Sequence, residues 1–282
     1  MEKIPEILKL LKSNVNEDLF SEALYSTTKI APICSEERIN EIFETSGVHT
    51  YLVNYIKPDF DKSCLKMVLS IIGNLYYSND FFIYETYNIK IHKAFEAYLE
   101  YAVSTQGFIS KNKENIKSII WCLYNFITIE NESIRGKVLR HTRIPKLLLQ
   151  IAETTTNESI IENIGIFFLN SLETTDTKIK TELLRNRILE FFFEFHNKLN
   201  QSKEITEICL RGIYYLLIYG ENMMKDRNIV KEGLLAQKIN LTIDQNQSSN
   251  KDQQIFEIAS EIMERFFPGE GFTYDQSSLL TG

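Results

Sequence analysis

An asparagine stands in the same apolar frame at three places in this chain. They are Asn74 in "LKMVLSIIGNLY" (65–76), Asn125 in "SIIWCLYNFI" (118–127) and Asn170 in "IENIGIFFLNSL" (161–172). Three weaker copies of the frame put Lys29, Tyr215 and Ser260 at the same place, in "EALYSTTKIA", "ICLRGIYYLLI" and "IFEIASEIMERF". The series 29, 74, 125, 170, 215, 260 advances by 45, 51, 45, 45 and 45 residues. A constant period of this size marks a stack of like units, each unable to bury its apolar faces alone. The longer step is assigned to the polar stretch "STQGFISKNK" (104–113).

Each unit reads as a short, a medium and a long helix. In the unit at 131–172 these are "NESIRGKVLRHT", "RIPKLLLQIAE" and "NESIIENIGIFFLNSL". Ile144, Leu147, Leu148 and Ile151 fall at i, i+3, i+4 and i+7, one apolar stripe. Pro145 stands in the first turn, where a missing N–H costs little, and Asn157 is a candidate N-cap. The triplet appears also at 36–77 and at 176–219. Gly47, Asn88, Asn186 and Gly233 fall between first and second helices, where a sharp turn favours glycine or asparagine. Only 11 glycines and 5 prolines occur, as expected for long helices and short loops. Three helices per unit favour the armadillo pattern over the two-helix HEAT pattern. The expected fold is an all-α, right-handed armadillo-type α-solenoid of about five repeats plus partial caps. It would run as a single domain over 1–267, with 244–254 as a polar loop and 268–282 as an extended C-terminal tail.

Other chemistry is missing from the sequence. Cys34, Cys64, Cys122 and Cys209 form no CxxC pair, and His49, His92, His141 and His196 show no HExxH or HxH spacing, so no metal site is expected. Phosphate-cradling glycine loops and the GxSxG elbow are absent too, so neither catalytic residues nor a cofactor nor a small-molecule substrate is expected. The net charge of −7 disfavours general nucleic-acid binding, which runs on phosphate neutralisation. No apolar run approaches a membrane span, so no membrane insertion is expected. Unpaired thiols place the chain in a reducing intracellular compartment. The cytoplasm is the first expectation, with a cytoskeletal or ciliary assembly or the nucleus as alternatives.

The segment "WCLYNFI" resembles the W-x-x-x-N third-helix motif of the importin-α (karyopherin-α) family. "RIPKLLLQIAE" is similar to that family's G-x-x-P-x-L-L-x-L-L second helix, and "EGLLAQKINLTI…IFEIASEIMERFF" to its final repeat. The resemblance implies a groove lined by third helices, with asparagine amides holding the backbone of an extended peptide and tryptophans forming slots for basic side chains. The chain departs from that pattern. The positions four before the groove residues are Tyr25, Ser70, Trp121, Ile166, Arg211 and Phe256, with one tryptophan among them. One turn further back come Lys66, Lys117, Glu162 and Glu207, and "MEKIPEILKLLK" reads as helix instead of a basic importin-β-binding segment.

The sequence therefore predicts a non-enzymatic interaction scaffold or structural subunit of a larger assembly, binding an extended segment of a partner protein. The expected contact residues are Asn74, Trp121, Asn125, Asn170 and Tyr215, with Glu162 and Glu207 beside them. The alternative is a divergent importin-α-like adaptor for basic peptides. The tyrosine-rich stretches 74–87 and 212–220 hold more aromatics than one buried stripe needs, and part of them is expected on a partner-facing flank.

Overall fold

The computed structural model describes residues 17–30, 47–78, 80–199, 203–220 and 250–266. Among the described residues the chain is helical and no strand occurs. Contacts divide it into two compact units, Met1–Asn186 and Arg187–Gly282.

Unit 1 begins with α1 (Glu17–Ile30), α2 (His49–Leu52) and a 3-10 turn (Val53–Tyr55). The medium helix of the triplet expected over 36–77 is thus broken into two short pieces. The rest of the unit is α3 (Lys62–Ser78), α4 (Asp80–Asn88), α5 (Ile91–Ser104), α6 (Phe108–Lys111), α7 (Lys113–Ile127), α8 (Glu132–His141), α9 (Ile144–Thr154), α10 (Glu158–Leu172) and α11 (Thr177–Arg185). The triplet expected over 131–172 is present as α8, α9 and α10. Asn157 caps α10 by accepting from Ile160 N (3.1 Å), and Asn131 caps α8 by accepting from Ser133 N and Ile134 N. Pro145 lies in the first turn of α9, whose stripe Ile144, Leu147, Leu148 and Ile151 is fully buried. The residues assigned to the longer step form α6, a single turn entered through Gly107 at φ 73. The short helix that opens the triplet expected over 36–77 falls on residues up to 46, which lie outside the described residues, as do Gly233, the tail 268–282 and part of the loop 244–254.

Successive third helices pack side by side: α1 on α3, α3 on α7, and α7 on α10. Second helices pack likewise, α5 on α9, and first helices, α8 on α11. An inner third helix has neighbours on both flanks, so most of its surface is apolar. On α7, Ile116, Ile119, Ile120, Leu123, Phe126 and Ile127 are all 0 % exposed. Burying each such side chain stabilises the fold by about 2 kcal/mol relative to leaving it in water.

Carboxylates tie one repeat to the next. Asp80, first residue of α4, accepts from Glu130 N (3.2 Å), just ahead of α8. Glu132, first residue of α8, accepts from Thr175 N (2.9 Å) and the Thr175 hydroxyl (2.6 Å), just ahead of α11. Glu96 on α5 accepts from Arg143 N, at the start of α9. These acceptors satisfy N–H groups that no intrahelical partner reaches.

Two turns differ from expectation. Gly47 has φ 56 as expected of a turn glycine, but in the turns after α4 and α11 the left-handed residues are Lys90 (φ 63) and Arg187 (φ 65), not Asn88 and Asn186. Asn88 ends α4, and Asn186 (φ −84) instead donates its side-chain amide to Glu182 O.

Unit 2 holds α12 (Ile188–Leu199), α13 (Lys203–Tyr219) and α14 (Asn250–Phe266). Helix α12 packs on α13, and α13 on α14. Residues 250–254, expected in a loop, belong to α14. Phe191, Phe192, Phe193 and Phe195 are buried in the core of unit 2. Phe266 is half-buried with the Arg265 guanidinium 5.4 Å from its ring centroid.

His92 contributes a pH dependence. It is buried at the start of α5, stacked on Tyr87 with ring centroids 4.9 Å apart. Burial holds its pKa below the usual value of 6.5, Lys93 and Lys90 act in the same direction, and Glu96 opposes them. The unfolded chain thus takes up this proton at a higher pH than the folded chain. The stabilisation is complete above about pH 6.5 and is lost as pH falls through the folded pKa. Thermal melts stepped from pH 7.5 to 5 are expected to show falling stability in the wild type and a flatter profile in His92→Phe. Equal slopes would contradict the assignment.

Candidate interaction face

The four third helices of unit 1 each keep one stripe open. On α3 it is Lys66, Ser70, Asn74 and Tyr77; on α7, Lys117, Trp121, Tyr124 and Thr128; on α10, Glu162, Ile166, Leu169, Asn170 and Glu173. On α1 the stripe includes Tyr25 and Lys29, whose ammonium lies 5.3 Å from the Tyr25 ring centroid. Each stripe follows the 3–4 spacing of one helix face.

Trp121 and Asn125 do different jobs. The indole lies across Gly73 of α3 so closely that a Cβ on Gly73 would stand 2.1 Å from a ring carbon. Asn125 is 2 % exposed, and its amide donates to Gly73 O (3.0 Å). Cys122 adds a thiol bond to Leu69 O (3.2 Å), and burial pushes its pKa far up, so this thiol is neutral and unreactive. Three side chains of α7 thus clasp the main chain of α3 between Leu69 and Gly73. A buried amide requires such a partner. Asn125, expected to meet a peptide, is turned into the helix–helix interface, because the open stripe of α7 runs through 121, 124 and 128. Trp121 is half-buried, with one part of the indole on Gly73 and the remainder on the surface.

The other expected residues lie as follows. Asn74, Asn170 and Glu162 are half-exposed on the face of unit 1. The Asn170 side chain makes no hydrogen bond to another described residue. In unit 2, Tyr215 is 37 % exposed on α13, and Glu207 is paired with Arg211 of its own helix at 2.7 Å. That pair consumes the negative charge a basic segment would need. Glu261 accepts a hydrogen bond from the Tyr214 hydroxyl, which raises the tyrosine pKa.

Sequence reasoning missed Tyr124 and Leu169, which flank Trp121 and Ile166 on the open face. The signal was available in the spacing of α7, where 124 keeps the 3–4 interval from 117 and 121 while the apolar pair Phe126 and Ile127 falls off that interval. Of the surplus tyrosines, Tyr77 is 79 % and Tyr84 48 % exposed, while Tyr76 is buried. Elsewhere in unit 1 a cavity of about 600 Å³ lies where α5 and α6 meet the α9–α10 turn, lined by Gln106, Ser110, Lys113, Thr155 and Asn157 among others. Among the described residues no group of histidine, cysteine and carboxylate could hold a metal, and no helix is long and apolar enough to cross a membrane.

This arrangement of side-by-side third helices is that of an armadillo-type α-solenoid. A designed armadillo repeat protein in complex with the peptide (KR)4 superposes with TM-score 0.71 at 18 % identity, over 92 % of this chain and 98 % of that one. A second designed armadillo repeat protein gives 0.68 at 16 % identity, over 92 % and 98 %. A computationally designed armadillo repeat protein for modular peptide recognition gives 0.65 at 16 % identity, with the same coverage. No protein-family model matches the chain, and no characterised protein matches it in sequence.

Proposed function

We propose that this protein is a non-enzymatic interaction scaffold, a subunit of a larger assembly, that holds an extended segment of a partner protein on the third-helix face of unit 1. The observation that carries the reading is the alignment of open stripes on α3, α7 and α10. Trp121, Tyr124, Ile166 and Leu169 form an apolar strip, and Asn74 and Asn170 stand beside it. An extended segment needs such a strip for its side chains and such amides for its own main-chain groups. A fold neighbour at 18 % identity carries a peptide, and that likeness supports the reading by analogy of fold. Tyr215 and Glu207 of unit 2 are assigned a lesser part, since Glu207 already has a partner. The compartment we propose is reducing and intracellular.

The test is selection of binding peptides from a random library against the full chain. Ile166→Asp is expected to weaken the selected peptides more than tenfold, and Asn170→Ala about fivefold, with thermal melts unchanged. Selected peptides indifferent to both substitutions would place the interaction elsewhere.

A further inference from the structure

The charges on the three inner helices of this face are sorted by sign. Helix α3 carries Lys62 and Lys66 and no acidic residue, with Asp61 just ahead of it engaged as acceptor for Ser63 N and Cys64 N. Lys62 donates to Lys111 O (3.1 Å), and neither lysine has a carboxylate within ion-pair distance among the described residues. Helix α7 carries Lys113, Glu114 and Lys117, and Glu114 offsets one of the two lysines by lying 3.8 Å from Lys117. Helix α10 carries Glu158 and Glu162, is followed by Glu173, and has no basic residue. Neither Glu158 nor Glu162 is ion-paired among the described residues. The charge therefore falls from positive on α3, through weakly positive on α7, to negative on α10, with Trp121, Tyr124, Ile166 and Leu169 on the last two. Helix α1, on the far side of α3, carries both signs in Asp18, Glu22 and Lys29.

We infer that this face selects an extended segment that is acidic over α3, bulky and apolar over Trp121 and Ile166, and basic over α10. The inference deepens the reading of the face as a peptide surface and rests on it. Packed helix axes stand about 9–10 Å apart, so Lys66 and Glu162, two helices apart, are separated by roughly 20 Å. An extended chain advances about 3.3 Å per residue, so the acidic and basic residues of the segment stand about six apart. A uniformly basic segment meets Lys62 and Lys66, and a uniformly acidic one meets Glu158 and Glu162. Each such encounter is a like-charge contact that the sorted segment avoids.

The experiment measures fluorescence anisotropy of four labelled peptides with the full chain at low salt. All four share one apolar centre. Two carry glutamates at one end and lysines at the other, in opposite chain directions, one carries lysines at both ends and one glutamates at both. The better two-sign peptide is expected to bind at least about fivefold more tightly than either uniform one, a difference that shrinks at high salt. Lys66→Glu is expected to move the preference to the all-lysine peptide, and Glu162→Lys to the all-glutamate peptide, with melts unchanged at these accessible positions. The charge assignment is overturned if a uniform peptide binds as tightly as the two-sign peptides, or if the preferences ignore both substitutions. If none of the four binds while library-selected peptides sensitive to Ile166→Asp exist, the assignment fails and the peptide surface stands. If no such selected peptides exist either, both fail.

Discussion

Gly73→Ala is expected to destabilise the protein by about 2 kcal/mol, and the same substitution made in a Trp121→Ala background is expected to stabilise it. The reversal follows from the contact between α3 and α7. In a helix interior alanine is favoured over glycine by about 1 kcal/mol. Against that gain stands the new methyl, 2.1 Å from an indole carbon where an ordinary carbon–carbon contact is near 3.5–4 Å. Trp121 is half-buried, so the ring can swing outward, but it then leaves Gly73, at an overpacking cost of about 3 kcal/mol. With the indole removed only the helix preference remains. Chemical denaturation followed by circular dichroism measures all four corners of this cycle. Additive single effects would mean that the indole does not rest on Gly73 in solution.

Phe192→Ala is expected to cost about 4 kcal/mol, a larger loss than Gly73→Ala. Phe192 is fully buried in unit 2, edge-on to Phe191 at 5.3 Å, and its ring covers Gly212 of α13, where a Cβ would stand 2.4 Å from ring carbons. Truncation removes the ring's transfer energy and leaves a cavity beside a helix that cannot close the gap without moving. Gly212→Ala tests the same contact from the other side. Unlike Trp121 this ring is not at the surface and has no outward route, so Gly212→Ala is expected to be the costlier of the two glycine substitutions. Melts of Phe192→Ala within about 1 kcal/mol of wild type would contradict the packing of α12 on α13.

The repeat was legible in the sequence because a third helix packed on both flanks must be apolar at nearly fixed intervals. That demand writes the same frame at 74, 125 and 170. Helix ends were legible where a cap is chemical, as at Asn157 and Pro145. What could not be read was the rotation of α7 by a fraction of a turn, which buries Asn125 and opens Tyr124. Adjacent positions on a helix differ by about 100°, and the neighbour's backbone decides which of them faces outward. Gly73 held that information, since a glycine in mid-helix marks a close approach, but only once its partner across the interface was known. The left-handed turns at Lys90 and Arg187 were equally hidden, because neither side chain has a local reason to adopt that conformation. Charge signs were readable residue by residue. Their sorting across α3, α7 and α10 required knowing which helices are neighbours.

The carboxylates that reach across repeats bear on how unit 1 gains its order. Asp80 and Glu132 occupy equivalent places, each the first residue of a first helix, and each completes main-chain groups ahead of the following first helix. In a one-dimensional lattice of repeats, such bonds belong to the coupling between neighbours and not to the intrinsic energy of either. A repeat that frays releases not only its own packing but also the acceptor for the next repeat's entry. The coupling thereby lengthens the stretch that melts as one cooperative block, and a partner that holds α3, α7 and α10 together would draw its ordering energy from a lattice already correlated along its length.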